Sequence, residues 1–138
     1  MPIRLSIGGS RWEDSELARI LIADDSPGFR EWLSEVLTEA GHSLASARDG
    51  LEAQYLARQG PFDLLVTDIS MPNEEGLGLI LALRKAHPDI KIIALSGLDP
   101  ETLYDAKLLG AARTLRKPIT AAVLLECVAA VMSPAAIH

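Results

Sequence analysis

The chain has 138 residues, of which 49% are apolar and 23% are charged, and its formal net charge is −6. This length and composition fit one globular domain with a hydrophobic core, and the acidic balance argues against general binding to nucleic acids or anionic membranes. The N-terminal stretch has no unbroken apolar segment like that of a signal peptide, and no apolar run is long enough to span a bilayer. The one cysteine, Cys127, excludes an intramolecular disulfide. A cytoplasmic protein is therefore expected.

From residue 18 onward, short apolar runs alternate with amphipathic stretches. Three of these runs are rich in Ile, Leu and Val without strict alternation, which is typical of strands that are covered on both faces. Two weaker runs, the second and the fifth, fit the same order of elements. The five predicted strands cover residues 19–23, 43–47, 62–67, 90–95 and 112–115.

The first two amphipathic stretches carry the end signals of helices. Ser26 supplies an N-cap and Pro27 a first-turn proline, while Gly41 marks the end of this first helix. Asp49 and Glu52 have the spacing of a capping box, which predicts the start of a second helix. Apolar residues follow at helical spacing in the first helix, at Phe29, Leu33, Val36, Leu37 and Ala40.

Three further helices are predicted along the chain. Asn73 can cap a third helix, which ends before Pro88. Asp99 and Pro100 open a fourth helix, which stops at Gly110. The fifth helix is predicted from an apolar stripe that consists of Ile119, Val123, Leu124, Cys127, Val128 and Val131.

The alternation of strands and helices predicts an α/β domain with a parallel, doubly wound sheet and right-handed crossovers. We expect this domain at residues 18–132, with an N-terminal extension at residues 1–17 and a short tail at residues 133–138. In such a sheet, ligands bind beyond the carboxyl ends of the strands. The residues that follow each strand are therefore the candidates for a functional site.

Polar side chains follow four of the five predicted strands. Asp24 and Asp25 follow the first strand, Asp68 the third, Ser96 the fourth and Lys117 the fifth. Three carboxylates at one edge repel one another and require a cation, and oxygen ligands suit Mg²⁺. A divalent cation, an ammonium group and a hydroxyl around one aspartate supply what phosphoryl transfer to a carboxylate requires.

Each of these signals also has an ordinary structural explanation. The acidic pair before Ser26 could cap the first helix, and Asp68 could begin a turn that continues through Pro72 and Gly76. Lys117 could be a solvated lysine at a helix entry, and Ser96 could belong to a generic turn. Taken singly the signals are weak, but together at the ends of successive strands they indicate a site.

The chain resembles the receiver domain of bacterial two-component response regulators over about residues 18–132. The resemblance implies a flavodoxin-like fold with five parallel strands in the order 2-1-3-4-5 and five helices. It also implies a signalling module whose only chemistry is self-catalysed phosphotransfer and dephosphorylation, so an enzyme in the wider sense is not expected. The matching segments are ILIADDSP (20–27), ARDGLEA (47–53), LLVTDISMP (64–72), IIALSG (92–97), LGA (109–111) and LRKP (115–118).

The resemblance assigns roles to the residues at the strand ends. Asp68 is implied to be the phosphoacceptor, Ser96 the switch hydroxyl and Lys117 the site lysine, with a candidate cis peptide between Lys117 and Pro118. The implied cofactor is Mg²⁺ or Mn²⁺. Its implied ligands are Asp25 directly, Asp24 largely through water, Asp68, and the backbone carbonyl of Ser70.

The resemblance also implies partners. The phosphoryl donor is a sensor histidine kinase or a histidine phosphotransfer protein, and a downstream protein target is contacted through the face of helix four, strand five and helix five. No direct binding to nucleic acid or membrane is expected, and a homodimer through helices four and five is compatible with the family. Lys107, Arg113 and Arg116 near this face suit an acidic partner, although each fits a solvated surface as well.

Thr114 departs from the family pattern and supports a second hypothesis. Members of the family usually carry Tyr or Phe at this position, three residues before the lysine. Because the family's signal is implied to pass through a coupled move of the hydroxyl residue and that ring, we expect an altered switch at Ser96 and Thr114. A phosphorylation-independent interaction domain is the alternative. A small doubly wound enzyme or flavin carrier is disfavoured, since no glycine-rich phosphate loop follows the first strand.

Overall fold

Five parallel strands form one sheet in the order β2-β1-β3-β4-β5. The computed structural model describes residues 17–71, 75–97 and 100–133, so the expectations for residues 1–16, Asn73, Asp99 and residues 134–138 lie outside the described residues. The fold class and the strand order predicted from the sequence are confirmed. The strands are β1 (Arg19–Ala23), β2 (Ser43–Ala47), β3 (Leu64–Asp68), β4 (Lys91–Ser96) and β5 (Arg113–Arg116).

Within the described residues, five helices cover the two faces of this sheet, which divides the core into two apolar layers. The first and last helices pack on one face and the middle three on the other, as expected for a doubly wound fold. Among the helices in the described ranges, none combines the length and the apolar character needed to cross a membrane. The helices are α1 (Pro27–Glu39), α2 (Gly50–Gln59), α3 (Glu75–Ala86), α4 (Pro100–Leu108) and α5 (Ala121–Met132).

The predicted helix starts of α1 and α2 are formed by side-chain caps. The Ser26 hydroxyl accepts a hydrogen bond from the Phe29 backbone N–H, and the Asp49 carboxylate accepts one from the Glu52 N–H at 2.8 Å. Beyond the end of α1, Gly41 has a φ of +102°, a conformation that glycine adopts without steric cost. These local signals therefore act as the sequence predicts.

The boundaries of three strands differ slightly from the prediction. β3 begins at Leu64 instead of residue 62, because Asp63 uses its carboxylate to accept the Arg19 N–H at 2.8 Å, while the Phe62 ring packs beneath the Arg19 guanidinium. At its other end β3 includes Asp68, which pairs in register with Leu95. β4 and β5 each begin and end one residue later than predicted.

Candidate functional site

The register of the sheet brings the predicted site residues to one edge. Ala23 pairs with Thr67 across β1 and β3, so the residues that follow, Asp24 and Asp68, become neighbours. β3 is buried along its whole length, and its last residue is Asp68. The Asp68 carboxylate therefore lies at the edge of the sheet, and 4% of the surface of Asp68 is exposed. The site thus lies where two central strands end side by side.

Three carboxylates converge at this edge. Asp24, Asp25 and Asp68 each offer an oxygen that lies within 4.8 Å of the others. Asp24 is fully buried and Asp25 is exposed, so the cluster is open to solvent on one side. Such a set of hard oxygen donors can hold a divalent cation such as Mg²⁺.

The Asp24 carboxylate is buried with only one of its oxygens in a hydrogen bond to the described residues. Its Oδ1 accepts a hydrogen bond from the Ser26 N–H at 2.7 Å, but its buried Oδ2 accepts none from the part of the chain that is described. Burial raises the pKa of Asp24, and the charges of Asp68 and Asp25 raise it further, against the opposing effects of the Ser26 N–H and the Lys117 ammonium. A buried carboxylate oxygen without a hydrogen bond is costly, and a bound cation would reduce that cost.

Both oxygens of the Asp68 carboxylate have partners. Oδ1 accepts the Ser70 backbone N–H at 2.8 Å, and Oδ2 accepts a hydrogen bond from the Lys117 ammonium at 3.3 Å. The same ammonium lies 3.7 Å from Oδ2 of Asp24. Lys117 therefore lies between two carboxylates and forms an ion pair with each of them.

The loop after β5 places Lys117 beside the end of β4. The Lys117 N–H donates to the Ser96 carbonyl at 2.9 Å, and the Lys117–Pro118 peptide bond is cis, as the resemblance implied. The Ser96 side chain is buried, and its hydroxyl lies 3.1 Å from the Ser70 hydroxyl. The structure thus gathers the predicted acidic residues, both serines and the lysine at one edge of the sheet.

The roles that the resemblance assigns to the site residues remain predictions, including those of the Ser70 carbonyl and of Thr114. The Ser70 backbone N–H and hydroxyl have the partners given above, but no contact tests its carbonyl as a ligand. Thr114 is half-buried on β5 and pairs in register with Ala94, two residues before Ser96. It therefore lies on the strand next to β4, which ends at Ser96, and its part in signalling remains a prediction.

Phe29 makes a contact at the site that its sequence pattern does not predict, because the pattern places it only on the apolar face of α1. The Lys117 ammonium lies 3.9 Å from the centroid of the Phe29 ring, which stacks on Trp32 at 5.5 Å and 27°. The spacing in the sequence could have indicated this contact. Phe29 follows Asp25 by four residues, about one helical turn, so its ring lies on the side of α1 that is close to the site.

Gly76 is a second feature that the sequence left as an ordinary loop residue. It lies in the first turn of α3, where a Cβ atom would approach the Ile69 Cα to 2.3 Å and the Asp68 carbonyl oxygen to 2.8 Å. Glu75 beside it accepts the Gly50 N–H at 2.9 Å and so joins α3 to the start of α2. The absence of a side chain at Gly76 lets α3 pack directly against the backbone of the Asp68 segment.

Comparison with known proteins gives consistent matches. The profile of the response regulator receiver domain family matches residues 20–129. A response regulator receiver protein of Anaeromyxobacter sp. (strain Fw109-5) is 35% identical over 111 residues, which cover 80% of this chain but only 47% of that protein, so the chain spans about half of its length.

Solved structures of similar fold cover most of the chain. Chemotaxis protein CheY4 of Vibrio cholerae matches with a TM-score of 0.78 and 31% identity, over 83% of this chain and 98% of that one. A response regulator protein of Burkholderia pseudomallei, solved with a phosphorylated aspartic acid, a calcium ion and citrate, matches with a TM-score of 0.74 and 29% identity, over 86% of this chain and 68% of that one.

Proposed function

Since this chain belongs to the response regulator receiver domain family of two-component systems, we propose that it is a phosphorylation-controlled module in which Asp68 accepts the phosphoryl group. The observation that carries this proposal is the setting of the Asp68 carboxylate. It ends a buried central strand, it accepts the Lys117 ammonium at 3.3 Å, and it shares an acidic cluster with Asp24 and Asp25. A purely structural aspartate would need neither the lysine nor the two further carboxylates.

We propose that the acidic cluster holds Mg²⁺, with Mn²⁺ as a substitute. Asp24, Asp25 and Asp68 would hold the ion together with the backbone carbonyl of Ser70. Oδ2 of Asp24, which is buried and accepts no hydrogen bond from the described residues, supports this fit. The bound cation would neutralise oxygens of the incoming phosphoryl group. The phosphorylated aspartic acid and calcium ion of the Burkholderia pseudomallei relative are consistent with such a site.

The proposed reaction is an in-line displacement. An oxygen of the Asp68 carboxylate forms a bond to phosphorus while the P–N bond of a phosphohistidine breaks, and the imidazole keeps the electron pair and takes a proton from solvent. Lys117, already on Oδ2 of Asp68, is placed to contact a phosphoryl oxygen on the product. Ser96 is buried beside it and would donate its hydroxyl to another phosphoryl oxygen.

The phosphoryl group would come from a sensor histidine kinase or a histidine phosphotransfer protein. We propose that the output is protein contact through α4, β5 and α5, where the cationic side chains of Lys107, Arg113 and Arg116 are exposed. The same face is proposed for a homodimer, and the working compartment is proposed to be the cytoplasm. No enzymatic activity beyond the phosphoryl chemistry at Asp68 is proposed.

The test is the intact mass of the purified protein after incubation with acetyl phosphate and Mg²⁺. We expect a gain of one phosphoryl group, which requires Mg²⁺ and is absent in Asp68→Asn. Asp89→Asn serves as the matched control, because Asp89 is an exposed carboxylate before β4, at the opposite end of the strand from Ser96.

Two results would contradict the proposal. Phosphorylation that persists in Asp68→Asn would move the acceptor elsewhere. Failure of folded wild-type protein to react with acetyl phosphate and with a panel of phosphohistidine donors would instead favour the phosphorylation-independent interaction domain.

A further inference from the structure

We propose that Phe29 is a positioning residue for Lys117: the face of its ring holds the ammonium group over the two carboxylates. This inference rests on the proposed phosphorylation of Asp68, because Lys117 acts at that carboxylate. Phe29 contacts neither the acidic cluster nor the phosphoryl group through a polar atom. Its effect on the reaction would therefore pass entirely through the lysine.

The polar contacts of the Lys117 ammonium leave room for a third partner. Its distances to Oδ2 of Asp68 and of Asp24 are 3.3 Å and 3.7 Å. Charge-assisted bonds between ammonium and carboxylate are usually about 2.7–2.9 Å long, so neither carboxylate alone fixes the group. The ring centroid of Phe29 is 3.9 Å away, well inside the range of about 6 Å over which a cation is attracted to an aromatic face.

The Phe29 ring is itself fixed by the start of α1. Trp32 stacks on its outer side at 5.5 Å, and the Ser26 hydroxyl caps the Phe29 N–H. The Ser26 N–H in turn donates to Asp24 at 2.7 Å. Hydrogen bonds within the segment from Asp24 to Phe29 therefore fix the buried carboxylate and the ring relative to each other. Both groups lie next to the Lys117 ammonium.

A lysine on a flexible four-carbon stem needs such support during the reaction. The ammonium has to stay at Asp68 Oδ2 while that carboxylate becomes an acyl phosphate, and 24% of the Lys117 side chain is open to solvent. Without the ring, Lys117 would spend more time in solvated rotamers. A cation–π contact at a partly exposed site corresponds to about a two- to fivefold effect on a rate or an equilibrium.

The experiment compares Phe29→Leu, which keeps apolar volume but removes the aromatic face, with Phe29→Tyr, which keeps the face. Rates of phosphorylation by acetyl phosphate are measured at fixed Mg²⁺, and thermal unfolding is recorded for each variant. Val36→Ala is the matched control, because Val36 is a partly buried residue of α1 in the same apolar layer and is not part of the site. We expect Phe29→Leu to react about two- to fivefold more slowly, and Phe29→Tyr and Val36→Ala to react at the wild-type rate.

A spectroscopic measurement separates positioning from a general structural effect. Protons of the Lys117 ε-methylene lie near the ring face, so their NMR signal should be displaced upfield by the ring current. Loss of this signal in Lys117→Gln identifies it. The displacement should persist in Phe29→Tyr and disappear in Phe29→Leu, with no phosphodonor present.

Each outcome decides the proposal. If the wild-type protein is phosphorylated and Phe29→Leu reacts at the same rate, the positioning role is overturned while the proposed function stands. If no lysine signal of the wild-type protein is displaced, the proposal fails even where Phe29→Leu does not fold. If the wild-type protein gains no phosphoryl group from any donor, the proposed function fails first, and the role of Phe29 in it fails with it.

Discussion

The close packing of Gly76 predicts how alanine substitutions change the free energy of unfolding. Two glycines of the same helix, Gly76 and Gly78, provide the comparison. In Gly76→Ala, the new methyl group would approach the Ile69 Cα to 2.3 Å and the Asp68 carbonyl oxygen to 2.8 Å, and both are backbone atoms that cannot rotate away. In Gly78→Ala, two residues further along α3, the new Cβ meets no atom of the described residues within 4 Å apart from its chain neighbours and the backbone of its own helix. The two variants therefore add the same group with opposite steric consequences.

The magnitudes follow from packing and helix propensity. Overpacking by one methyl group typically costs about 1–3 kcal/mol, and the upper end applies here because only a backbone shift relieves the contact. Replacing glycine by alanine in a helix returns about 1 kcal/mol at most. We expect Gly76→Ala to lower the free energy of unfolding by about 2 kcal/mol and Gly78→Ala to raise it by about 0.5–1 kcal/mol.

The assay is urea unfolding of both variants and the wild-type protein, monitored by circular dichroism. With equal m-values, the midpoints report the change in the free energy of unfolding directly. Gly76→Ala should also slow phosphorylation by acetyl phosphate, because the displaced backbone carries Asp68. A midpoint of Gly76→Ala equal to or above that of the wild-type protein would refute the packing argument, as would an equal loss in both variants.

Two further predictions concern titratable groups. Asp24→Asn should raise the free energy of unfolding of the metal-free protein by about 1 kcal/mol, because it removes a buried negative charge that is also repelled by Asp68 and Asp25. Burial raises the pKa of Asp24 in the folded protein above the value of 3.8 that applies to the unfolded chain. The free energy of unfolding of the wild type should therefore fall as the pH rises from 3.8 through the folded pKa, and Asp24→Asn should lack this decrease. Mg²⁺ should stabilise the wild type more than this variant, and equal shifts in unfolding temperature would contradict a role for Asp24 at the cation site. For His42, the dependence of stability on pH has the opposite sign. Burial lowers the pKa of His42, whose Nδ1 accepts the Ala18 N–H at 2.9 Å. The free energy of unfolding should therefore fall as the pH decreases below 6.5 towards the folded pKa. His42→Asn should flatten that part of the stability profile, and an unchanged slope in urea unfolding would assign the effect to another group.

The architecture could be predicted because its determinants are local. Apolar runs long enough for one strand, a proline after Ser26, and the capping pair Asp49 and Glu52 each specify an element without reference to the rest of the chain. The order of those elements then selects a parallel sheet, and the sheet brings the ends of its strands together. The proximity of Asp24 and Asp68 was therefore predictable from two short segments that lie far apart in sequence.

The missed features depend on contacts that have no local signature. In the sequence, Phe29 cannot be distinguished from the other apolar residues of α1. Only the tertiary structure brings the Lys117 ammonium over its ring. Gly76 reads as a loop residue, because its requirement comes from the Ile69 backbone across the turn. The start of β3 was wrong by two residues: the Arg19 N–H donates to the Asp63 carboxylate and not to a backbone carbonyl of the preceding residues.

The bond between Lys117 and Asp68 has a consequence for how the site opens and forms. It joins residues 49 positions apart, whereas the bond between Ser26 and Asp24 spans 2 positions. β5, which precedes the lysine, has four residues, lies at the edge of the sheet and pairs only with β4 among the described strands. Short edge strands are among the first elements to open in local unfolding. The acidic half of the site can thus persist as a folded unit through fluctuations that withdraw the lysine, and the complete site exists only while β5 is docked.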